Sequence, residues 1–544
     1  MMPRHRATRC LWAVVCLASS VLTTRALRAE EQPLRQVIDA EIQAGWQREK
    51  HTPTVPSTDA EFLRRIYLDL VGTIPTYEET VAFLASKEPA KREQLVDKLL
   101  ADPRFAQKQA DVWDQILFGR HPPGYDTDKR EGFQAWLRKQ FAQNVPYDVW
   151  VRELLKADGN SAENAALYFV QYRNAPEDAS QAISQTFLGV QLQCARCHDH
   201  PYEEWKQRDF YGMAAFLARL EVVGVGKKAN LPAYVIGERN TGDVLFTGPA
   251  KDQQPGKKGE PVKPKFLLGK PLVEPEMPAD YKEPRFEANK VPPRPRFSRK
   301  DQLAEWITQA DNPFFARAIA NRMWGQYLRR GLVHPVDDVS PANKPSHPEL
   351  LNKLTQALVA HKFDLKWYVR ELVNTRLYQL SCVGAPSEPL PEWIPHARMR
   401  PLSAEELVES WQIATGFAAA EQAAGKKTSN DRFRPLSNGY VLRFFGTPNN
   451  GTGDFQGGLH EHLYLNNGPL VQMIPAGKGS LVEFIADTKQ PIDARIDRLF
   501  LTTLNRHPTA KEREKFAAFL ASDKAVPTDA IWTLITCSEF RFNH

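Results

Sequence analysis

Apolar residues recur at helical spacing along most of the chain. Leu34, Val37, Ile38, Ile42 and Trp46 fall on one face and predict a helix there. Thr76 followed by Glu79 is a capping box ahead of the apolar Val81 to Leu84. Asp102-Pro103 interrupts the pattern, and Pro146 opens a helix carrying Trp150, Leu154 and Leu155. Ile183, Phe187, Leu188 and Val190, then Phe210, Met213, Phe216 and Leu217, continue the helical stripe, so residues 31 to about 220 read as a run of helices.

The pattern changes after Leu220. Tyr234-Val235-Ile236 and Val244-Leu245-Phe246 are β-prone runs separated by Asn240-Thr241-Gly242-Asp243, which predicts a hairpin. From Pro249 to Pro295 proline and lysine are dense, which excludes continuous helix and predicts an extended linker. Helical spacing resumes behind Ser298, a candidate N-cap, and runs through Leu303, Trp306 and Phe315 to Leu328, with Gly331 as its expected stop. Ser346-His347-Pro348 starts the next run, and Ser403 with Glu406 and Thr509 with Glu512 repeat the capping box. No repeat of fixed period is present. The expected class is mainly α: two helical domains joined by a small β insert and a Pro/Lys-rich linker. The expected boundaries are 30–222, 223–297 and 298–544, behind a leader at 1–29.

That leader has the marks of a signal peptide. Arg4, Arg6 and Arg9 precede a short apolar run from Leu11 to Leu22, and Ala26 or Ala29 precedes the expected cleavage point. The run is too short for a stable membrane span, and Cys16 behind Ala13-Val14-Val15 only loosely resembles a lipoprotein box, so cleavage is preferred to a lipid anchor. Residues 1–29 hold five arginines and no acidic residue, and their removal takes the formal charge from +6 to about +1. The basic balance is thus a targeting signal and gives no argument for nucleic acid. A periplasmic or extracellular location follows as an expectation, and no later segment is apolar for long enough to span a membrane.

The stretch with the most chemistry is Cys194-Ala195-Arg196-Cys197-His198. Two thiols three apart can each add to a vinyl group of a porphyrin, and the adjacent imidazole then reaches the iron. On this reading haem c is the cofactor, Cys194 and Cys197 are the thioether links, and His198 is the proximal ligand. Arg196 is a candidate for a propionate or, more simply, an exposed arginine. His200 lies too close in sequence to reach the opposite face of the ring. Met213 is a candidate distal ligand, although its place on an apolar stripe equally makes it a core methionine. Two alternatives stand beside haem: zinc held by Cys194, Cys197, His198 and His200, and a local disulfide or structural thiols. Cys382 and Cys537 remain for one disulfide or for two buried thiols.

Several of these stretches resemble a known family. Arg64-Arg65-Ile66-Tyr67-Leu68-Asp69-Leu70, Ile74-Pro75-Thr76, Phe187-Leu188-Gly189-Val190 and Cys194 to Pro201 are similar to the planctomycete secreted cytochrome-like family, domain of unknown function 1549. Asn312-Pro313, Asn321-Arg322-Met323-Trp324, Gly331-Leu332-Val333, Pro345 to Leu351 and Phe540 to His544 resemble its partner, domain of unknown function 1553. The resemblance implies an exported protein with a c-type haem and implies no activity. Leu459-His460-Glu461-His462 departs from it by its wealth of histidine.

Other constellations are weaker. His460 and His462 suit a metal pair only if extended, and a polar loop makes them surface histidines first. Asp337-Asp338 after His334 is a candidate carboxylate pair or simply solvated charge. Gly224-Val225-Gly226 lacks the third glycine of a dinucleotide loop, and no serine or cysteine nucleophile stands in a recognisable setting. The tryptophans, as at Trp150 and Trp306, sit on helical stripes that suit core packing. Two functions are expected: a haem protein moving single electrons, with a redox partner protein or an oxidative process to serve, or a non-catalytic helical binding or scaffold protein. No reaction is assigned.

Overall fold

A computed structural model describes residues 32–119, 131–161, 164–228, 231–247, 259–285, 292–384, 391–423, 425, 463, 466–468 and 474–544. Its helices are α1 (Leu34–Glu49), α2 (Asp59–Val71), α3 (Tyr77–Ala85), α4 (Lys91–Ala101), α5 (Pro103–Phe118), α6 (Glu131–Ala142), α7 (Tyr147–Lys156), α8 (Pro176–Ile183) and α9 (Gln207–Ala214). After the insert come α10 (Arg299–Ile307), α11 (Phe315–Leu328), α12 (Pro348–Ala360), α13 (Leu365–Val373), α14 (Ala404–Thr415), α15 (Phe417–Ala423), α16 (Leu481–Ala486), α17 (Ile492–Thr503), α18 (Ala510–Leu520), α19 (Pro527–Ile535) and α20 (Ser538–Arg541). The protein is mainly α, as expected. None of these helices is long and apolar enough to cross a membrane.

Local signals set most helix starts. The boxes at Thr76/Glu79, Ser403/Glu406 and Thr509/Glu512 all form, and Ser298 accepts from the Asp301 N–H as N-cap of α10. The stop of α11 differs from expectation: the helix ends at Leu328, and Arg329, not Gly331, takes the left-handed conformation at φ 70°. Arg329 accepts that backbone while its guanidinium grips Asp69 at 2.6 and 2.7 Å. Gly331 is needed for space instead, because a Cβ there would lie 2.2 Å from the Val333 carbonyl oxygen.

The hairpin is also displaced. Strand β1 (Gly159–Asn160) and strand β2 (Leu220–Lys228) flank β3 (Leu231–Glu238), with Val222 opposite Ile236. β4 (Val244–Leu245) pairs instead with β5 (Pro261–Val262). The residues of the expected turn are bonded to distant groups instead. The Glu283 carboxylate accepts from the Asn240 N–H and the Thr241 hydroxyl, Asn240 Oδ1 accepts from the Arg296 N–H, and Asp243 accepts from Arg299. The described part of the Pro/Lys-rich stretch is extended but laid on the body. Phe266 stacks on Trp306 with ring centroids 5.2 Å apart, and the Lys265 ammonium donates to Asp209.

The apolar cores part elsewhere than at this insert. One runs from Leu34 to Ile394 and takes in α1 to α13, and the other gathers residues 402–540 together with Leu68 and Ile74. Helix α2 therefore passes between the two and is buried on all sides, including Arg64, Arg65 and Asp69. Its charged side chains tie distant segments together. Asp69 accepts from Arg329, Arg400, the Tyr378 hydroxyl and Asn543 Nδ2. Arg65 donates to Glu61 and to the carbonyls of Tyr378, Leu380 and His544, while Arg64 donates to Thr503, Asn505 and Phe540. Through Arg400 the network reaches Glu406, which also accepts from Lys108, and β6 (Arg400–Pro401) pairs with β7 (Phe542–Asn543).

Burial pushes the Asp69 carboxyl up, but the adjacent Arg329 and Arg400 outweigh it and hold it below the usual range. Glu406 is likewise held down by Arg400 and Lys108 against burial. Both carboxyls titrate lower folded than unfolded, where 3.8 and 4.5 are ordinary. Their contribution is therefore complete above about pH 5 and is lost as pH falls below about 4. Urea melts at stepped pH should show that loss, and Asp69→Asn should cost about 3 kcal/mol at pH 7 by leaving the Arg329 guanidinium without its carboxylate and Arg400 with Glu406 alone. Stability that is flat from pH 6 to pH 3, or a variant within about 0.5 kcal/mol of wild type, would contradict this account.

Candidate functional site

The Cys194–His198 segment lies where α8 gives way to α9. Helix α8 widens into a π-helical turn at Ser184–Leu188, Gly189 closes it in the left-handed region, and a 3-10 turn at Gln193–Arg196 follows. Gly189 has φ 65°, and a Cβ there would lie 2.7 Å from Val339 Cγ2, so both conformation and space demand glycine. Residues of the later half hold this turn: the Val339 N–H donates to the Gly189 carbonyl at 2.7 Å, Arg322 to the Thr186 carbonyl, and Gln185 to Asp337. Asp337 is thereby buried rather than solvated, and the Asp338 carboxylate accepts from Asn343 Nδ2 at 3.3 Å.

Within the motif only Ala195 is buried, and Cys194, Cys197 and His198 are exposed. Neither thiol is paired, so the local disulfide is not formed here. The backbone beneath them is fixed by α9: Gln207 Nε2 donates to the Arg196 carbonyl at 2.9 Å, and its N–H donates to Asp199 Oδ1. His198 Nδ1 lies 2.6 Å from the Asp199 carbonyl oxygen. A neutral ring in that position donates through Nδ1 and leaves Nε2 as a free lone pair, the tautomer a metal-bound imidazole needs.

His200 is committed the other way. Its Nδ1 accepts the N–H groups of Tyr202 and Glu203 at 3.3 and 3.1 Å, so in the neutral ring the proton sits on Nε2 and no ligating nitrogen remains. The four-donor zinc arrangement loses a member by this bond. Among the described residues no group of three or more His, Cys, Asp or Glu side chains is gathered for a metal ion. Arg196 is half exposed and pairs with Asp178 at 2.8 Å. Met213 is fully buried on α9 within the first apolar core, a placement that supports its packing role.

These features sit in a matched frame. Residues 37–222 match the model of a protein family of unknown function, DUF1549, and residues 299–441 match a second, DUF1553. Two separate stretches of the chain are thus each similar to one of these families. No curated protein and no solved structure matches it. The exposed motif lies in the DUF1549 domain, and Arg322, Asp337 and Val339, which clamp the turn before it, lie in the DUF1553 domain.

Cys382 and Cys537 are separate free thiols, each half-buried. Burial pushes the Cys382 thiol up to about 11, helped by Glu61, and burial raises Cys537 as well. His460 and His462 lie outside the described residues. Gln207 and Asp199 are the positioning residues that the sequence pattern misses, because nothing in their spacing reveals that α9 folds back under the motif. In chain prepared without haem attachment, iodoacetamide at pH 8 should label Cys194 and Cys197 at least about tenfold faster than Cys382 and Cys537. Peptide mass mapping against time reads this, and equal rates at all four thiols would refute the exposure described.

Proposed function

We propose that the chain is an exported c-type haem protein that passes single electrons, with thioether bonds at Cys194 and Cys197 and His198 as the proximal ligand through Nε2. The observation that carries the reading is the pairing of two exposed, unbonded thiols on one short turn with an adjacent imidazole whose Nδ1 is already turned to a backbone carbonyl. When bound, haem supplies one-electron redox chemistry. The protein's own part is positional. Asp199 sets the ring of His198, Gln207 holds the backbone of Arg196, and the π-helical turn fixes where the segment leaves α8.

The residues fit the group in type, order and accessibility, and the arginine-rich start of the chain supports delivery to the compartment where such bonds are made. Met213 has no role in this reading. The alternative, a helical scaffold whose motif is only a turn, predicts a colourless protein.

Expression in a host with periplasmic c-type maturation machinery separates the two. A Soret band that stays with the polypeptide through acid extraction, and an intact mass greater than the leader-free chain by one porphyrin, are the expected results. Cys194→Ser and Cys197→Ser together should abolish both signals while leaving the helical circular dichroism unchanged. A bare-polypeptide mass from that host, with a control cytochrome loaded in parallel, would sink the haem reading.

A further inference from the structure

A second candidate site lies on the first core and is independent of the haem motif. A cleft of about 620 Å³ opens between α1 and the turn that follows α13, a size in the usual range for small ligands. Asp39, Gln43, Trp46 and Gln47 reach it from α1 at helical spacing, so one face of one helix forms a wall. Asp39 joins that wall to the opposite one: its carboxylate accepts the N–H groups of Arg376 and Leu377 at 3.0 and 3.3 Å.

Trp46 gives the cleft an oriented aromatic surface. Its indole N–H donates to the Trp393 carbonyl at 2.7 Å, which fixes the ring, and no aromatic ring stacks on it among the described residues. Gln43 and Gln47 are exposed amides beside it with no intramolecular partner among the described residues. Asn374 donates Nδ2 to the Arg370 carbonyl and keeps Oδ1 as an acceptor, and the Arg376 guanidinium is exposed at the rim. The lining holds one carboxylate, one guanidinium and the His51 imidazole, and the Asp39 carboxylate disfavours a phosphate or sulfate.

A larger cleft near the start of α1 also carries exposed amides, at Gln32 and Gln356, but has no uncovered aromatic wall. There Arg35 pairs with Glu371, Lys353 pairs with Glu41, and the Trp367 face is covered by His361 at 3.4 Å.

We propose that the cleft at Trp46 binds a neutral saccharide. The apolar C–H face of a pyranose packs on the indole, and its hydroxyls, each both donor and acceptor, pair with the amides of Gln43, Gln47 and Asn374 and with Arg376. Neutral hydrogen bonds exchanged against water give modest affinity, on the order of 1 mM for a disaccharide.

Saturation-transfer NMR and calorimetry on the full chain, with maltose, cellobiose and lactose as probes and adenosine and inorganic sulfate as controls, test this. At least one disaccharide should bind with its ring protons nearest the protein. Gln43→Ala with Gln47→Ala, at exposed positions that leave the melting temperature unchanged, should weaken it about tenfold. Binding by none of the three sugars, binding unaffected by the double variant, or preference for adenosine or sulfate would each overturn the proposal. Haem loading plays no part in the measurement.

Discussion

The structure hangs on a carboxylate buried in the middle of α2. Asp69 is gripped by two guanidiniums, a phenol and an amide that come from residues 329, 378, 400 and 543, four places far apart in sequence. Burying an ion this deeply costs several kcal/mol, and only directional partners on every lone pair return it. Such a set of bonds adds little net stability over an apolar core of the same volume. Its consequence is placement: the partners satisfy Asp69 in one arrangement, which fixes β6 against β7 and the C-terminal residues against α2.

The same arrangement explains why the two matched families act as one packed body. Helix α2 belongs to the DUF1549 region, yet its arginines and Asp69 are satisfied by the DUF1553 region and by the residues beyond it. Contact runs the other way at the π-helical turn. There Arg322, Asp337 and Val339 hold Thr186, Gln185 and Gly189 immediately ahead of the cysteines. The motif is carried by one region and clamped by the other, so its position depends on an interface rather than on its own loop.

How much of this was legible in the sequence follows from range. Caps were readable, because Thr76 and Glu79, or Ser403 and Glu406, satisfy each other within one turn. The α2 sequence, read as a helix, gives no sign that Arg64 and Asp69 lie inside, since a charged residue's ordinary place is the surface and their partners lie hundreds of residues away. Gly331 read as a helix stop because glycine is the common C-cap. The actual stop at Arg329 is set by its reach to Asp69, which no local rule contains. The hairpin moved for a like reason: Glu283 and Arg296 hold Asn240 by hydrogen bonds, while β2 takes the place beside β3. At the candidate site the cysteines and His198 were legible by order alone. Asp199 and Gln207 were not, because their roles are a carbonyl and an amide brought close only when α9 packs beneath.

Under the proposed haem reading, an exposed attachment segment must satisfy two demands that pull against each other. Thiols need access, which favours a loose surface loop, while an imidazole that serves as a ligand needs a fixed ring. Here the conflict is resolved by dividing the labour between backbone and side chain. Gln207, fully buried, pins the Arg196 carbonyl from below, and Ala195 packs inward, so the turn is anchored through the two residues that lie between the cysteines. Cys194 and Cys197 are then free to point into solvent. The ring of His198 is oriented by a carbonyl of Asp199, a group that does not titrate, rather than by a carboxylate. The Asp199 carboxylate is spent on Gln207 and Lys206 instead. The orientation of His198 is thus a property of the backbone fold.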